Sequence, residues 1–163
     1  MSQTCKIKPD LIEMDYGWIK AGALMTLLGV VLSMFGAQGI GPFLEGKYGA
    51  RTATEMGQTV NQTKIMMDRC ERATLCQLTH GLAIIAVGIL IPLRPRRMLL
   101  AAEWCFLLGT VLYSGSLFAS VATGQEWLTT TSQLGGIILL FGWLALVEGS
   151  CQASKGWATK SSE

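Results

Sequence analysis

Residues 75–93, LCQLTHGLAIIAVGILIPL, are followed by RPRR at 94–97 and then by MLLAAEWCFLLGTVLYSGSLFASV at 98–121. Two apolar runs joined by so short a basic turn read as a helical hairpin. A helix needs about 20 mostly apolar residues to cross roughly 30 Å of hydrocarbon, and both runs come close to or exceed that. Pro92 and Pro95 bracket the turn, and proline lacks the N–H that would carry a helix through it. The two helices are therefore antiparallel neighbours.

Outward from this hairpin lie a third run at 18–35 and a shorter one at 134–147. The lead-in Trp127, Thr129, Thr130, Thr131, Ser132 and Gln133 extends the last run, because hydroxyls can bond back to their own helix. The fold expected is an all-α membrane protein: a compact antiparallel four-helix transmembrane bundle with a long first outer loop. The boundaries read as a polar tail at 1–17, a transmembrane domain at 18–149 with spans near 18–36, 74–93, 98–122 and 130–148, and a polar tail at 150–163.

Composition agrees. Half the residues are hydrophobic and 15% are charged, against about 25% charged in a soluble domain. Buried helices of soluble proteins seldom stay charge-free for this long. The near balance of 13 basic and 11 acidic residues leaves no basic stripe for nucleic acid. Met1 to Tyr16 lacks the apolar core and small-residue cleavage site of a conventional signal peptide. Cys5, Cys70, Cys76, Cys105 and Cys151 form neither a C-x-x-C nor a cluster with metal spacing, so they read as small apolar side chains, with no metal site and no disulfide framework.

Lys and Arg near the span ends indicate orientation. Placing the Arg94, Arg96, Arg97 turn inside puts both termini on that side with it, together with Lys6, Lys8, Lys20, Lys155 and Lys160. The other side keeps Lys47, Arg51, Lys64, Arg69 and Arg72, and its second loop holds Glu126 without a basic residue. Both termini are thus expected on the cytoplasmic or matrix side of a bacterial inner membrane or an organellar inner membrane. Trp18, Trp104, Trp127 and Trp143 lie towards span ends, as indoles prefer, and each reads equally as a packing residue. The first outer segment begins with a glycine-rich turn before Pro42. From about Thr52 it reads either as an amphipathic surface helix, with Met56, Val60, Met67 and Cys70 on one face, or as a solvated loop. Asn61 to Thr63 also forms a glycosylation sequon, meaningful only in a secretory lumen.

Small residues recur every seven positions in all four spans: Gly22, Gly29 and Gly36; Thr74, Gly81 and Gly88; Ala102, Gly109 and Ser116; Gly135, Gly142 and Gly149. A seven-residue period keeps one seam facing its neighbour, and small residues in that seam let backbones approach closely in lipid. This predicts helix packing through these residues and a narrow interior, unlike that of a wide channel.

His80 is the only histidine, and it lies inside a span, where ionisable groups are costly. Counting from the basic turn places it level with Thr110 to Ser114. A polar intramembrane cluster of Gln38, Gln77, His80, Tyr113 and Ser114 is therefore expected. It reads as a hydrogen-bonded clasp between helices, or as a site for a proton, a ligand or a quinone headgroup. His80 has no neighbouring carboxylate or second ligand, which falls short of a catalytic constellation. Glu103, the one carboxylate well inside a span, is expected to pair with Lys20 or to reach towards Arg96 and Arg97.

Four blocks carry a family resemblance. They are Phe35-Gly36-Ala37-Gln38-Gly39 after the first span, Glu71 through His80 leading into the second, Tyr113-Ser114-Gly115-Ser116-Leu117-Phe118 in the third, and Gly135-Gly136 with Gly142-Trp143 in the fourth. In this order they resemble the small membrane proteins of domain of unknown function 423, the bacterial group that includes relatives of transmembrane protein 256. The resemblance implies four spans and a membrane location, and it supplies no established activity. Gln38 stands where the family has its first histidine, so a two-histidine site is not implied. The first outer loop and the N-terminal extension are longer than the family's, which suggests contacts with another protein.

The function expected is that of a non-enzymatic accessory or scaffold subunit of a larger membrane complex. The alternative is a small transporter or redox-linked module binding a proton, quinone or lipid near His80. The expected partners are the lipid bilayer and other membrane protein subunits, not nucleic acid. No cofactor is expected beyond a bound lipid.

Overall fold

The computed structural model describes residues 9–55, 57–91 and 96–160. Its helices are α1 (Pro9–Phe35), α2 (Gly41–Tyr48), α3 (Gln62–Leu90), α4 (Arg96–Thr123) and α5 (Trp127–Lys160). A single π-helical turn, Gly36–Ile40, joins α1 to α2, and a hairpin of β1 (Thr52–Glu55) and β2 (Gln58–Asn61) precedes α3. Four stretches are long and apolar enough to span a membrane: Tyr16–Phe35, Gln62–Leu90, Arg97–Thr123 and Trp127–Ser150. The chain is an all-α membrane bundle.

The helices pack in order, α1 on α3, α3 on α4 and α4 on α5. The two central helices are the best covered, while α1 and α5 each lie along one neighbour and turn broad apolar faces outward, among them Leu24, Leu28 and Met34 on α1 and Leu140, Leu144 and Val147 on α5. These faces suit lipid, which solvates apolar side chains as well as a neighbouring helix does.

Close approach in two of the three seams depends on glycine. A Cβ built on Gly22 would lie 2.8 Å from the Gly81 carbonyl oxygen, and one on Gly29 would lie 2.9 Å from Leu78 Cδ2. Between α4 and α5, a Cβ on Gly135 would lie 2.5 Å from the Tyr113 amide nitrogen, and one on Gly142 would lie 2.8 Å from the Phe106 ring. Gly88, Gly109 and Gly149 are similarly placed against Ile19, Leu139 and Leu99. Ser116 is buried and donates to the Tyr113 carbonyl of its own helix at 3.1 Å. Gly36 is different, with nothing within 4 Å of a Cβ built there.

The first outer segment differs from both readings of the sequence. Neither a surface helix nor a loop runs from Thr52; a short antiparallel hairpin stands there, pairing Thr52 with Asn61 and Glu55 with Gln58. Gly57 turns the chain at φ 79°, a conformation that glycine adopts without steric cost. Asn61 then caps α3 by accepting the Thr63 N–H at 2.8 Å. Between that cap and Gly81 no glycine or proline interrupts the chain, so what read as a separate surface segment is the first part of α3. Its apolar side, Ile65, Met66, Cys70 and Ala73, is buried in the protein. The segment folds as a cap: Leu44, Tyr48, Met66, Cys70 and Val121 form a second core at the loop end of the bundle. Tyr48 Oη donates to the Val121 carbonyl at 3.0 Å, Lys47 Nζ to the Ala122 carbonyl at 2.5 Å, and Arg69 pairs with Glu126 at 2.6 Å.

Candidate functional site

His80 sits in α3 where it meets α4 and the Trp143 side chain of α5. Its Nδ1 lies 2.9 Å from the Cys76 carbonyl one turn earlier, and its Nε2 faces Trp143 Nε1 of α5 at 3.3 Å. An indole N–H only donates, so Nε2 accepts and Nδ1 carries the proton towards the carbonyl. This neutral tautomer satisfies both ring nitrogens. Phe106 of α4 completes the group, its ring centroid 5.6 Å from that of His80 and 5.0 Å from that of Trp143. Gly142, next to Trp143, leaves the room that the Phe106 ring occupies.

The other members of the sequence-derived cluster point elsewhere. Gln77 is buried and donates from Nε2 to the Met25 carbonyl of α1 at 3.2 Å, clasping α3 to α1. Ser114 is buried and donates to the Ala73 carbonyl at 2.8 Å, clasping α4 to α3. The Tyr113 backbone lies beneath Gly135 and its ring passes close to Gly136, so it serves the α4–α5 seam. The Gln38 side chain lies outside the described residues.

The level of His80 also shifts. It packs against Phe106, about one helical turn from the expected Thr110 to Ser114, because α3 ends at Leu90 and α4 begins at Arg96, both earlier in the chain than the spans read from the sequence. The sequence reads Trp143 as an interfacial anchor or a packing residue and does not bring it to His80, where the structure places it. The signal was its spacing: α5 runs antiparallel to α4, and Gly142 opposite Phe106 brings the next side chain to the histidine. A double-mutant cycle of His80→Ala and Trp143→Phe, read by unfolding in detergent, is expected to give a coupling of about 0.6 to 1.7 kcal/mol.

Glu103 departs further from expectation. Its side chain is 0% exposed, among the described residues neither carboxylate oxygen has a hydrogen-bond partner and no ion pair to Lys20 or Arg97 forms, and the Arg96 side chain lies outside the described residues. It faces the narrow gap at Gly88, where a built Cβ would lie 3.5 Å from Oε1. Burial between Gly88 and the α3–α4 core directs the chain inward and prevents it from reaching the basic end of the helix. Among the described residues, no three of His, Cys, Asp and Glu come together as a metal-holding group.

Comparisons with known proteins place the chain in a family. The model of the protein family of unknown function DUF423 matches residues 46–136, from the end of α2 to the first turns of α5. The chain is 30% identical over 130 residues to the UPF0382 membrane protein of Staphylococcus haemolyticus, covering 80% of this chain and 91% of that one. It is 29% identical over 133 residues to the UPF0382 membrane protein of Staphylococcus saprophyticus, covering 82% and 95%. A shorter match, 32% identical over 74 residues, links it to the UPF0382 membrane protein of Haemophilus influenzae, covering 45% and 59%. No solved structure matches the chain. None of these relatives is named as an enzyme. The chain is an integral membrane protein belonging to the DUF423 family.

Proposed function

We propose that this protein is a non-enzymatic scaffold subunit, held in a larger membrane complex by the outward apolar faces of α1 and α5 and by its folded cap. The observation that carries this reading is the state of His80, whose two nitrogens are both engaged by groups of the same chain. Gln77 and Ser114 likewise bond across helix seams. Polar groups used in this way join helices and are themselves not free to act on a substrate. The same saturation weakens the transporter or redox reading, which needs His80 available to a proton or a quinone. The charge pattern supports termini on the cytoplasmic side.

Gentle detergent extraction of the native protein, followed by size separation and mass spectrometry of what co-migrates, tests the proposal. A reproducible assembly well above 17.6 kDa, containing other membrane proteins, is expected. A lone monomer that loses a transport phenotype on His80→Ala, while keeping its fold, would overturn it.

A further inference from the structure

The loop end of the α1–α3 seam opens into a groove of about 650 Å³. Two features of the backbone make it. The π-helical turn Gly36–Ile40 interrupts the α-helical ladder between α1 and α2, and π-turns are rare and often mark functional positions. Gly36 contributes no side chain to the wall facing the groove.

Polarity is graded along the groove. Asp68, Glu71 and Arg72 line its loop end, and Leu32, Leu75 and Leu78 line the part that runs into the bundle. These three charged residues form no ion pair with another described residue. Beyond Arg72, α3 carries no charged residue through Leu90, so the groove straddles the boundary between water and hydrocarbon. From Asp68 to Leu78 the rise is about 15 Å, which is room for a substantial part of an acyl chain. Leu75 is 64% exposed, so the groove has an apolar side open to the bilayer.

We propose that this groove binds one zwitterionic phospholipid, with its phosphate at Arg72, its ammonium at Asp68 and Glu71, and an acyl chain along Leu32, Leu75 and Leu78. The charge pattern selects the headgroup. An anionic lipid would satisfy Arg72 yet face two carboxylates, whereas a phosphate and an ammonium on one headgroup match both signs. A guanidinium is suited to bidentate phosphate contacts. The proposal is independent of the scaffold reading, since it concerns the isolated chain.

Native mass spectrometry of the purified full chain, delipidated and then titrated with phosphatidylethanolamine or phosphatidylglycerol, tests it. The wild type is expected to retain one phosphatidylethanolamine at least ten times more strongly than phosphatidylglycerol. Gly36→Leu, which fills the groove where a Cβ meets nothing, and Arg72→Gln, at an exposed position, are each expected to weaken that binding at least tenfold. Thermal unfolding in detergent checks that both variants fold, and Arg72→Gln carries the test if Gly36→Leu does not. Equal binding of the two lipids, a preference for phosphatidylglycerol, or undiminished binding by a folded variant would overturn the proposal.

Discussion

Gly135→Ala is expected to destabilise the protein by about 3 kcal/mol, the upper part of the usual range for overpacking, although it adds a single methyl group. The new Cβ would lie 2.5 Å from the Tyr113 amide nitrogen and 2.9 Å from the Gly109 carbonyl oxygen. Both obstacles are backbone atoms of α4, so no rotamer change relieves the clash and the two helices must separate. Separation also disturbs the neighbouring Gly142–Phe106 contact, on which the His80 group depends. Gly115→Ala is the internal control, since nothing lies within 4 Å of a Cβ there and alanine has a helix propensity about 1 kcal/mol more favourable than that of glycine. Unfolding by denaturing detergent, monitored by helical circular dichroism, measures both. Equal stability of the two variants would show that the α4–α5 seam is not closed as described.

Glu103→Leu is expected to act in the opposite direction, raising stability by about 1 to 3 kcal/mol, the cost of leaving a buried polar group without partners. Leucine is similar in size and removes both unsatisfied oxygens. Glu103→Gln keeps a polar group in the same place and is expected to recover less. The same unfolding assay decides the matter. A marked loss of stability in Glu103→Leu would mean that the carboxylate has a bonding partner in the membrane. Interior groups that lower stability without joining helices are where function departs from folding. Glu103 is therefore the first position to vary once an activity can be measured.

The predicted helical hairpin, the four spans and the family were legible because each rests on local or periodic signals. Charge-free runs of helix-spanning length have one favourable environment, and prolines flanking Arg94 leave the chain no option but to turn. The seven-residue spacing of Gly22, Gly29, Gly81, Gly135, Gly142 and Gly149 was likewise visible, and in the structure each of these residues faces the adjoining helix. The polar cluster was harder to read. Counting along the spans brings Gln77, His80, Tyr113 and Ser114 to one depth, but the structure sets His80 level with Phe106 and Ser114 level with Ala73, and depth does not say which way each side chain points. Three residues before His80 on the same helix, Gln77 turns to α1, while His80 turns to α4 and α5.

What the sequence by itself determined is the solvent: these helices belong in lipid, antiparallel, with small residues where backbones touch, because hydrophobicity and residue size act position by position. Only the tertiary structure decided the partners. The start of α4 at Arg96 set the register that brings Phe106 to His80, and the approach of α5 through Gly142 delivered Trp143. The Asn61 cap made α3 one continuous helix, and the cap that folded over its first turns left the groove beside Gly36. Each of these depends on the relative height and rotation of separate helices. Those quantities are fixed by the sum of many contacts between distant residues, which no single stretch of sequence contains.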